Sequence, residues 1–453
     1  MQKTKDERPE GGSMTTGLKV CIVGSGPAGM YAAGDLVKKA PDARIDILDK
    51  LATPYGLVRA GVAPDHQTTK NVTRAYDKVM ENASVRFVGN IRLGEDIPLH
   101  ELRALYDVVI IATGTPKDRS LNIPGEDKQG VYGAQTFVYW YNGHPEFRDA
   151  VPDLDIETAV VIGNGNVALD VARILMRTAD EMSTSDLVDH AAREIFKSPL
   201  KRVHVVGRRA PENAQFSSKE LGEFAELAAA TAYTDKTLLP DEYISDDKKQ
   251  ERVVNTNLEL LRSFEQIRDG VDGRSIHLDF LASPIEILGD ERITGVRFER
   301  NRMEDGKAVG TGETYEIDCQ LLVSCIGYEM GVLEGLPVER GIVKNDAGRV
   351  APGLYVVGWA KRGPSGTIGT NRLDSQEVVD LLLADNLRGG DTAKRGPDGL
   401  DAWCREKNIH VVSFDDWKKI DAAEVARAGE KSPRRKFVRT RDMLSLIRGE
   451  ASS

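Results

Sequence analysis

The chain has 453 residues, of which 40% are hydrophobic and 29% charged, so it is long enough for two or three globular domains with substantial cores. Its net charge of −10 argues against a general nucleic-acid binder, and no apolar run approaches the roughly 18 residues of a membrane span.

Residues 1–17 are polar and rich in glycine and serine, and they lack the apolar core of a secretory signal, so we expect a disordered tail. An organelle presequence is normally poor in acidic residues, whereas this stretch contains Asp6, Glu7 and Glu10. We therefore expect the protein to be cytoplasmic.

The four cysteines predict neither a metal centre nor a redox disulfide, because none of them forms a C-x-x-C pair. Cys21 and Cys325 lie in apolar runs, and we expect both in the core of a protein from a reducing compartment. Cys319 and Cys404 complete the set.

The first predicted strand, within residues 18–23, runs directly into a glycine fingerprint and then into a helix with an apolar face. The glycines of this G-x-G-x-x-G pattern are Gly24, Gly26 and Gly29. In a strand–turn–helix context they allow a tight turn, close approach of a pyrophosphate and close packing of helix on sheet. The pyrophosphate then lies at the N–H groups of the helix N-terminus.

A carboxylate follows the second predicted strand, residues 44–48, at the position where a dinucleotide ribose is bound. This residue, Asp49, lies 20 residues after Gly29 and can accept hydrogen bonds from both hydroxyls of an adenosine ribose. The first site is therefore predicted to hold an adenine dinucleotide whose ribose is not phosphorylated.

Residues 53–66 predict an ordered loop, because Pro54, Gly56, Gly61 and Pro64 exclude a long helix or strand. The loop leaves the carboxyl end of the second strand, where ligands bind in open α/β sheets. It is either a packed connection or a wall of the cofactor pocket. We favour the second interpretation because a loop of this composition is costly without a function.

The next elements predict a third sheet strand and then a change of domain. A helix is expected over about 67–82, a strand over 85–88 and a buried parallel strand over 107–113. Residues 115–130 contain prolines, glycines and charges, and we place the crossover to another domain there.

The same architecture then repeats, with a predicted strand over 158–162 followed by a second fingerprint, Gly163-Asn-Gly-Asn-Val-Ala168. The repeat begins 139 residues after the first fingerprint (163 minus 24). We predict an α/β fold with two Rossmann-like dinucleotide-binding domains, the second inserted into the first. The segment 177–200 is expected to be a peripheral insertion.

The second site differs from the first at the ribose position. The strand over 202–206 is followed by Gly207, Arg208 and Arg209, and no carboxylate is present there. Two guanidinium groups suit a 2′-phosphate, which each can bind through paired N–H donors. The second ligand is therefore predicted to be NADP(H) rather than NAD(H).

Residues 211–300 predict a helix over 218–230, a charged segment over 240–252, and strands near 275–282 and 292–300. The chain returns to the first domain near residue 327. The cations of this region are either a solvated face or a docking surface for an acidic protein. They are Lys248, Lys249, Arg252, Arg262 and Arg268.

The last third of the chain predicts a strand over 353–358, a glycine-rich turn over 361–368 and a helix from about residue 374. Backbone donors of that turn suit an anion or a flavin carbonyl, and Trp359 either packs on an aromatic ring system or lies in the core. We assign no chemistry to the basic run near the end of the chain. It consists of Arg434, Arg435, Lys436, Arg439 and Arg441.

Several of these blocks together resemble one family, the adrenodoxin-reductase-like ferredoxin–NADP reductases, including their actinobacterial members. The stretches that carry the resemblance are residues 54–66, 163–175, 206–209, 358–368 and 412–417. The resemblance implies a glutathione-reductase-type fold with FAD in the outer halves and NADP in the insert. The implied limits are 18–117 and 328–453 for the FAD-binding domain and 118–327 for the NADP-binding domain.

The resemblance also implies site residues. Besides the fingerprint glycines Gly24, Gly26 and Gly29, the implied FAD contacts are Ala28, Asp49, Leu57, Leu93, Trp359, Gly366, Thr367 and Ile368. The implied NADP contacts are Asn164, Gly165, Asn166, Val167, Arg208, Arg209, Glu220 and Gly366. The resemblance places His66 and Glu223 beside the flavin–nicotinamide region, as orienting or proton-managing groups.

Three positions depart from the family pattern. Asp49 replaces the usual Glu and shortens the reach to the ribose, and Tyr55 stands where Trp or Phe is common. Glu212 adds a carboxylate near the predicted phosphate clamp, which bears on the affinity for NADPH rather than on the type of cofactor.

The implied activity is transfer of electrons from NADPH through FAD to an acidic ferredoxin-type iron–sulfur protein. A flavin-dependent monooxygenase, or another NADPH oxidoreductase on the same fold, is the alternative. A disulfide reductase would need a dithiol beside the flavin, and a subunit like the β-type half of glutamate synthase would carry N-terminal cysteine clusters. The sequence encodes neither feature.

Overall fold

The structure, a computed structural model, describes residues 17–268, 273–385 and 390–450, so the predicted tail lies outside the described residues except for Gly17. The chain divides into two compact units. The first unit contains the residues up to 55, residues 73–114 and residues 332–417. The second contains residues 56–72, residues 115–331 and the residues from 418 onward.

The first unit is built on a six-stranded sheet whose strands are parallel except for one at the edge. In spatial order the strands are Arg349–Ala351, Leu354–Val356, Val108–Ile111, Lys19–Val23, Arg44–Asp49 and Val85–Gly89. The inner strands are almost fully buried, as expected for a parallel sheet covered on both faces. A small antiparallel pair, Val338–Glu339 with Ile342–Val343, completes the β-structure of this unit.

Seven helices belong wholly or partly to the first unit as described. They are Pro27–Lys39, Thr73–Met80, Leu99–Leu105, Trp359–Arg362, Thr370–Asp385, Pro397–Glu406 and Phe414–Ala426, the last of which ends in residues of the second unit. The first of them begins at the glycine fingerprint and packs against Thr370–Asp385.

The second unit is built on a seven-stranded sheet in which every pairing is parallel. In spatial order the strands are Glu265–Gln266, Ala230–Thr234, Arg274–Asp279, Arg202–Val206, Thr158–Ile162, Leu321–Ser324 and Val131–Gly133. Residues of alternate parity along these strands enter two separate apolar clusters. Val161 and Val205 belong to one cluster, and Val160 and Val206 to the other, so both faces of the sheet are covered.

An antiparallel three-stranded sheet and a short ladder also belong to the second unit. The sheet consists of Ala282–Leu288, Gly295–Glu304 and Lys307–Asp318, and the ladder joins Lys117–Asp118 to Tyr328–Glu329. The further helices of the unit are Leu57–Ala60, Gln67–Lys70, Ala134–Asn142, Asn166–Met176, Asp189–Lys197, Ser218–Gly222, Lys248–Ser263 and Thr440–Arg448. Single 3-10 turns lie at Pro145–Phe147, Pro211–Asn213, Glu223–Glu226 and Lys236–Leu238.

The structure confirms the predicted fold class, because each glycine fingerprint joins a parallel strand to a helix in its own α/β unit. Among the described residues, no helix is both long enough and apolar enough to cross a bilayer.

Several predicted elements were wrong in extent. The helix predicted over 218–230 ends at Gly222, and Ala230–Thr234 is a strand instead. That strand is paired along Arg274–Asp279, so a long-range ladder overrides the local helical pattern. The charged segment 240–252 already contains the start of helix Lys248–Ser263, which Asp247 caps through the N–H groups of Lys249 and Gln250.

Two further predictions differ from the structure. The helix predicted over 67–82 is divided at residues 71–72 into Gln67–Lys70 and Thr73–Met80. The segment 177–200 is not peripheral, because Met182, Val188 and Ile195 are buried in the apolar core of the second unit.

Candidate functional site

The first glycine turn leaves no room for side chains where the helix meets the sheet. A Cβ on Gly29 would lie within 3.0 Å of the carbonyl oxygen of Gly24, and one on Gly24 would approach the carbonyl of Ala112 equally closely. Gly24 also has a φ of +114°, a conformation that L side chains rarely adopt. Gly26 is the N-cap of helix Pro27–Lys39 and supplies no side-chain cap, so the first-turn N–H groups suit a pyrophosphate.

Asp49 ends the second strand, and its carboxylate is already held by the fingerprint. Its Oδ2 accepts hydrogen bonds from the backbone N–H of Ser25 at 3.0 Å and from the Ser25 hydroxyl, and its Oδ1 accepts from the N–H of Leu51 at 3.0 Å. Burial raises the pKa of Asp49, although these hydrogen bonds oppose the shift. A carboxylate can accept about four hydrogen bonds, so Oδ1 keeps the capacity to accept one from a ribose.

Ser25 is a further candidate residue at this turn, which the sequence analysis did not single out. Besides bonding Asp49, its hydroxyl oxygen accepts a hydrogen bond from the backbone N–H of Tyr55 at 3.2 Å. Tyr55 has a φ of +81°, which is strained for a residue with a side chain, and it is buried. Its ring packs edge-on against Trp417. The position of Ser25 inside the fingerprint was the signal that could have identified it.

The structure brings the predicted FAD residues Ala28 and Trp359 together in the first unit. A Cβ on Gly358, which has a φ of +69°, would lie 2.6 Å from the Cβ of Ala28. Gly358 donates its N–H to Asp374 Oδ2 at 2.5 Å and directly precedes Trp359. The Trp359 ring is half-buried, and its Nε1 donates to the carbonyl of Ser365 at 3.2 Å. The turn after this strand therefore lies beside the N-terminus of the first helix.

The other predicted FAD residues are more dispersed. Leu93 is buried in the first unit. Gly366, Thr367 and Ile368 directly precede helix Thr370–Asp385, and the N–H of Thr367 donates to the hydroxyl of Thr370 at 3.0 Å. Leu57 belongs to the second unit, where it begins the short helix Leu57–Ala60.

The second glycine turn has the same close approach and a buried amide beside it. Gly163 has a φ of +134°, and a Cβ there would lie 2.5 Å from the carbonyl oxygen of Cys325. The side chain of Asn164 lies against Gly207, and its Oδ1 and Nδ2 are buried without a hydrogen-bond partner among the described residues. Unsatisfied buried amide atoms are costly, so this feature fits a ligand that supplies the missing partners.

The N-terminus of helix Asn166–Met176 is tied to the segment that carries Glu220. Asn166 Oδ1 accepts the N–H of Ser217 at 2.7 Å, and the Ser217 hydroxyl bonds the Glu220 carboxylate. The structure thus brings Asn166 and Glu220 together. Gly165 precedes the helix with open space where its Cβ would lie, and Val167 follows, half-buried.

Arg208 and Arg209 are exposed, and neither guanidinium has a carboxylate partner in the described part of the chain. Their backbone is nevertheless fixed. Asn301 Nδ2 donates to the carbonyl of Arg208 at 2.8 Å, and the N–H of Leu281 donates to that of Arg209 at 3.2 Å. Two cations on a rigid strand end suit a phosphate dianion. Glu212 lies in the adjacent 3-10 turn, Pro211–Asn213.

His66 and Glu223, which the resemblance places beside the flavin–nicotinamide region, are in direct contact. The Nε2 of His66 lies 3.0 and 3.2 Å from the two oxygens of Glu223, and both residues belong to the second unit. The fully buried guanidinium of Arg173 lies beside them, with Nη1 2.9 Å from Glu223 and Nη2 3.1 Å from His66 Nε2. Arg173 can only donate hydrogen bonds and the Glu223 carboxylate accepts them, so His66 Nε2 lies beside one donor and one acceptor.

Arg173 is held by further carboxylates. It bonds both oxygens of Asp65, at 2.9 and 3.0 Å, and Asp170 at 2.7 Å, while Arg177 bonds Asp65 at 2.8 Å. Burial opposes the charged guanidinium, but Asp170, Asp65 and Glu223 raise the pKa of Arg173 above its usual value. Arg173 therefore stays charged.

The carboxylates of this cluster differ in the direction of their pKa shifts. Burial opposes ionisation of Asp65 and Glu223, yet Arg173 lowers the pKa of Asp65, and His66 with Arg173 lowers that of Glu223. Burial prevails at Asp170 and raises its pKa. The lowered pKa values mean that Asp65 and Glu223 add stability above the acidic range, which is lost as the pH falls.

Asp65, His66 and Glu223 place three possible ligand atoms close enough together for a metal ion. Arg173 already bonds Asp65 and Glu223, and its positive charge lies where a metal ion would have to bind. The cluster therefore fits a buried ion network rather than a metal site.

Arg173 and Asp65 were missed by the sequence analysis as parts of this cluster. The available signal was the charged pair Asp170 and Arg173, spaced i, i+3 on a helix whose other residues are mostly apolar and buried.

The family described as Pyridine nucleotide-disulphide oxidoreductase matches residues 18–226. The chain is 40% identical over 449 residues to the NADPH-ferredoxin reductase FprA of Mycobacterium tuberculosis (strain ATCC 25618 / H37Rv), covering 94% of this chain and 98% of that protein. It is 39% identical over 458 residues to the mitochondrial NADPH:adrenodoxin oxidoreductase of Arabidopsis thaliana, covering 94% and 95%. The solved structure of Mycobacterium tuberculosis FprA in complex with NADPH aligns with a TM-score of 0.90 and 38% identity, covering 96% of this chain and all of that one.

We expect the Arg173→Met variant to lose about 3–5 kcal/mol of unfolding free energy, because Asp170 and Glu223 would lose their cation and Asp65 would keep only Arg177. The matched control is Arg177→Met, which removes a partly exposed cation from Asp65 and should cost about 1 kcal/mol or less. Thermal and urea unfolding of both variants measures the difference. Equal, small losses would show that Arg173 does not stabilise the cluster.

Proposed function

The chain belongs to the family of NADPH:adrenodoxin oxidoreductases and NADPH-ferredoxin reductases, and we propose from this that it passes electrons from NADPH through FAD to a ferredoxin-type iron–sulfur protein. Its cofactors are FAD and NADP(H), and it is an oxidoreductase. The observation that carries the proposal is the contrast between two equivalent glycine turns. Ser25 of the first turn bonds the carboxylate of Asp49, whereas Asn164 of the second turn lies against Gly207, which directly precedes the exposed Arg208 and Arg209.

The proposed FAD site is built around the first glycine turn. The helix N-terminus behind Gly26 binds the pyrophosphate, and Asp49 accepts from the ribose. The remaining residues that we assign to FAD are Gly24, Ala28, Gly29, Leu57, Leu93, Trp359, Gly366, Thr367 and Ile368.

The proposed NADP site lies at the second glycine turn. Arg208 and Arg209 bind the 2′-phosphate, and the orphaned amide of Asn164 receives partners from the dinucleotide. The further residues that we assign to NADP are Gly165, Asn166, Val167, Glu220 and Gly366.

FAD, when bound, supplies a centre that accepts a hydride and releases electrons singly, which suits a one-electron iron–sulfur acceptor. The chain binds and orients the cofactors and needs no obligatory acid–base pair. We assign His66 and Glu223 an orienting and proton-managing role, because Glu223 and Arg173 both approach His66 Nε2 and so fix the orientation of the ring.

No observation favours a flavin-dependent monooxygenase over this function. A disulfide reductase would need a dithiol beside the flavin, and no two of the four cysteines form a C-x-x-C pair. Burial raises the pKa of the Cys21 and Cys325 thiols, so neither is a ready nucleophile.

We also propose that the acceptor is acidic and that it meets the enzyme in the cytoplasm. Support for the first point comes from the exposed face of helix Lys248–Ser263. Lys249 and Arg252 lie three residues apart on that face, and neither has a carboxylate partner among the described residues. Lys248 is less available because it pairs with Glu251 at 2.9 Å.

The purified protein should be yellow, and anaerobic NADPH should bleach its flavin absorbance. An oxidised ferredoxin added next should restore the colour. A colourless protein, or a yellow one that NADPH cannot bleach, would contradict the proposed function. Rapid oxygen consumption with hydroxylation of a substrate would favour the monooxygenase instead.

Replacing Arg208 and Arg209 with Ala should raise the KM for NADPH by about 100-fold or more and leave that for NADH nearly unchanged, because the two charge-assisted hydrogen bonds contribute about 1.5–3 kcal/mol each. The control is Arg302→Ala, which removes an exposed cation that pairs with Glu304. Steady-state kinetics with both nucleotides provides the measurement. Similar losses with NADPH and NADH would remove the 2′-phosphate assignment.

The double variant Lys249→Glu and Arg252→Glu should raise the KM for an acidic ferredoxin by about tenfold at low salt, since charge reversal weakens steering. The effect should fade at high salt and be absent with ferricyanide as acceptor. The matched control reverses the same amount of charge at Arg302 and Lys307, on the antiparallel sheet. If both double variants behave alike, helix Lys248–Ser263 is not the docking surface.

A further inference from the structure

Two buried carboxylates of the second unit each bind cations from two distant parts of the chain. The first is Asp186, only 3% exposed, whose Oδ1 lies 2.6 Å from Lys70 Nζ and whose Oδ2 lies 3.2 Å from Lys436 Nζ. Lys70 belongs to residues 56–72, which we call the connector because the chain enters and leaves the second unit there. Lys436 belongs to the basic run, residues 434–441.

The second shared carboxylate is Glu424, whose side chain is fully buried. It accepts from Arg59 of the connector through Nη1 and Nη2, at 2.9 and 2.6 Å, and Arg434 of the basic run approaches it at 3.4 Å. The backbone N–H of Phe437 also donates to Glu424, at 2.8 Å. The same arrangement therefore occurs twice, with a carboxylate between a connector cation and a cation of the basic run.

Lys436 also contacts the connector without an intermediary. Its Nζ lies 3.2 Å from the carbonyl oxygen of Arg59 and 3.2 Å from that of Asn142, in addition to Asp186. All three N–H donors of this buried ammonium therefore have acceptors, and its side chain is 1% exposed. Removing the ammonium would leave these two carbonyl oxygens and one oxygen of Asp186 without this hydrogen-bond donor, in a place that water does not reach.

The other cations of the run are already neutralised, which argues against a free docking motif. Arg435 pairs with Asp189 and Arg439 with Asp149, both near the protein surface. Arg434 also bonds Asp421. A basic surface for nucleic acid or an acidic protein would need these cations to be available.

We propose that the basic run is a positioning device, in which Lys436 and Arg434 hold the connector through Asp186 and Glu424 and so keep Leu57 and His66 in place for catalysis. The catalytic part of this inference rests on the proposed function, whereas the effect on the connector does not. Lys436 and Arg434 are thus positioning residues that act through the connector. A misplacement of about 1 Å in such a segment can cost on the order of a hundredfold in rate.

The test of connector order compares Lys436→Met with Arg435→Met in the full-length protein by amide hydrogen exchange. The second variant is the matched control, because it removes the neighbouring cation of the same run, which pairs only at the surface with Asp189. The measurements should be made near pH 6. Burial lowers the pKa of Lys436 to about 7, although Asp186 opposes the shift. At that pH the ammonium form prevails.

In Lys436→Met, the amides of the connector should exchange about tenfold faster or more, as expected for a local opening made easier by about 1.4 kcal/mol. Gly61 and Lys70 donate hydrogen bonds within the connector and report on it. Exchange in strands Thr158–Ile162 and Arg202–Val206 should not change. Unchanged connector exchange, or equal acceleration in both variants or throughout the second unit, would overturn the inference.

The catalytic test measures NADPH oxidation by the FAD-loaded variants with ferricyanide, below their melting temperatures. Lys436→Met should lower kcat by about tenfold with little change in the KM for NADPH, because the phosphate-binding arginines are untouched. Lys436→Arg, which keeps the charge, should recover much of the rate. A variant that melts earlier but keeps the wild-type kcat would show a purely structural role and contradict the proposal.

If Lys436→Met does not fold, Arg434→Met serves in its place, since Arg434 is partly exposed and shares Glu424 with Arg59. The same localised increase in exchange is expected, and its absence counts against the inference. An inactive wild-type enzyme would contradict the proposed function alone, because hydrogen exchange would still report whether the basic run holds the connector.

Discussion

Both dinucleotide turns depend on one steric constraint, the absence of a side chain where the strand before the turn ends. At Gly24 the opposing atom is the carbonyl oxygen of Ala112, and at Gly163 it is that of Cys325. These obstacles are backbone atoms, so no rotamer change could relieve a clash with a Cβ. The constraint sets two helix N-termini at the carboxyl ends of parallel strands, with uncapped N–H groups that suit a pyrophosphate.

Chemistry at the ribose position distinguishes two otherwise equivalent turns. Asp49 is a partly buried acceptor that Ser25 holds in place, which suits a ribose hydroxyl group and repels a phosphate. Arg208 and Arg209 are exposed donors on a fixed backbone, which suits a phosphate and leaves the guanidiniums free to move onto it. With the proposed assignments, selectivity for the nucleotide comes from two short stretches rather than from the fold.

The second unit concentrates buried charge around the connector. Arg173 binds Asp65 and Glu223, Asp186 binds Lys70 and Lys436, and Glu424 binds Arg59. Buried ion pairs are weak evidence for stability, because desolvation offsets much of the attraction. They do penalise any arrangement that separates the partners, so such networks specify one position for the segment that carries His66. That role suits a segment whose residues must meet cofactors at defined distances.

The sequence by itself determined the two glycine turns, the contrast between Asp49 and the arginine pair, and the strands over 19–23 and 158–162, because each is recorded in a short run of neighbouring residues. The tertiary structure decided what depends on distant partners. It turned residues 230–234 into a strand by pairing them with Arg274–Asp279, and it assigned the connector to the second unit. It also paired cations of the basic run, to which the sequence analysis assigned no chemistry, with carboxylates. The physical reason is that strand pairing over tens of residues and charge pairing over hundreds of residues depend on the folding of the whole chain, which no local periodicity encodes.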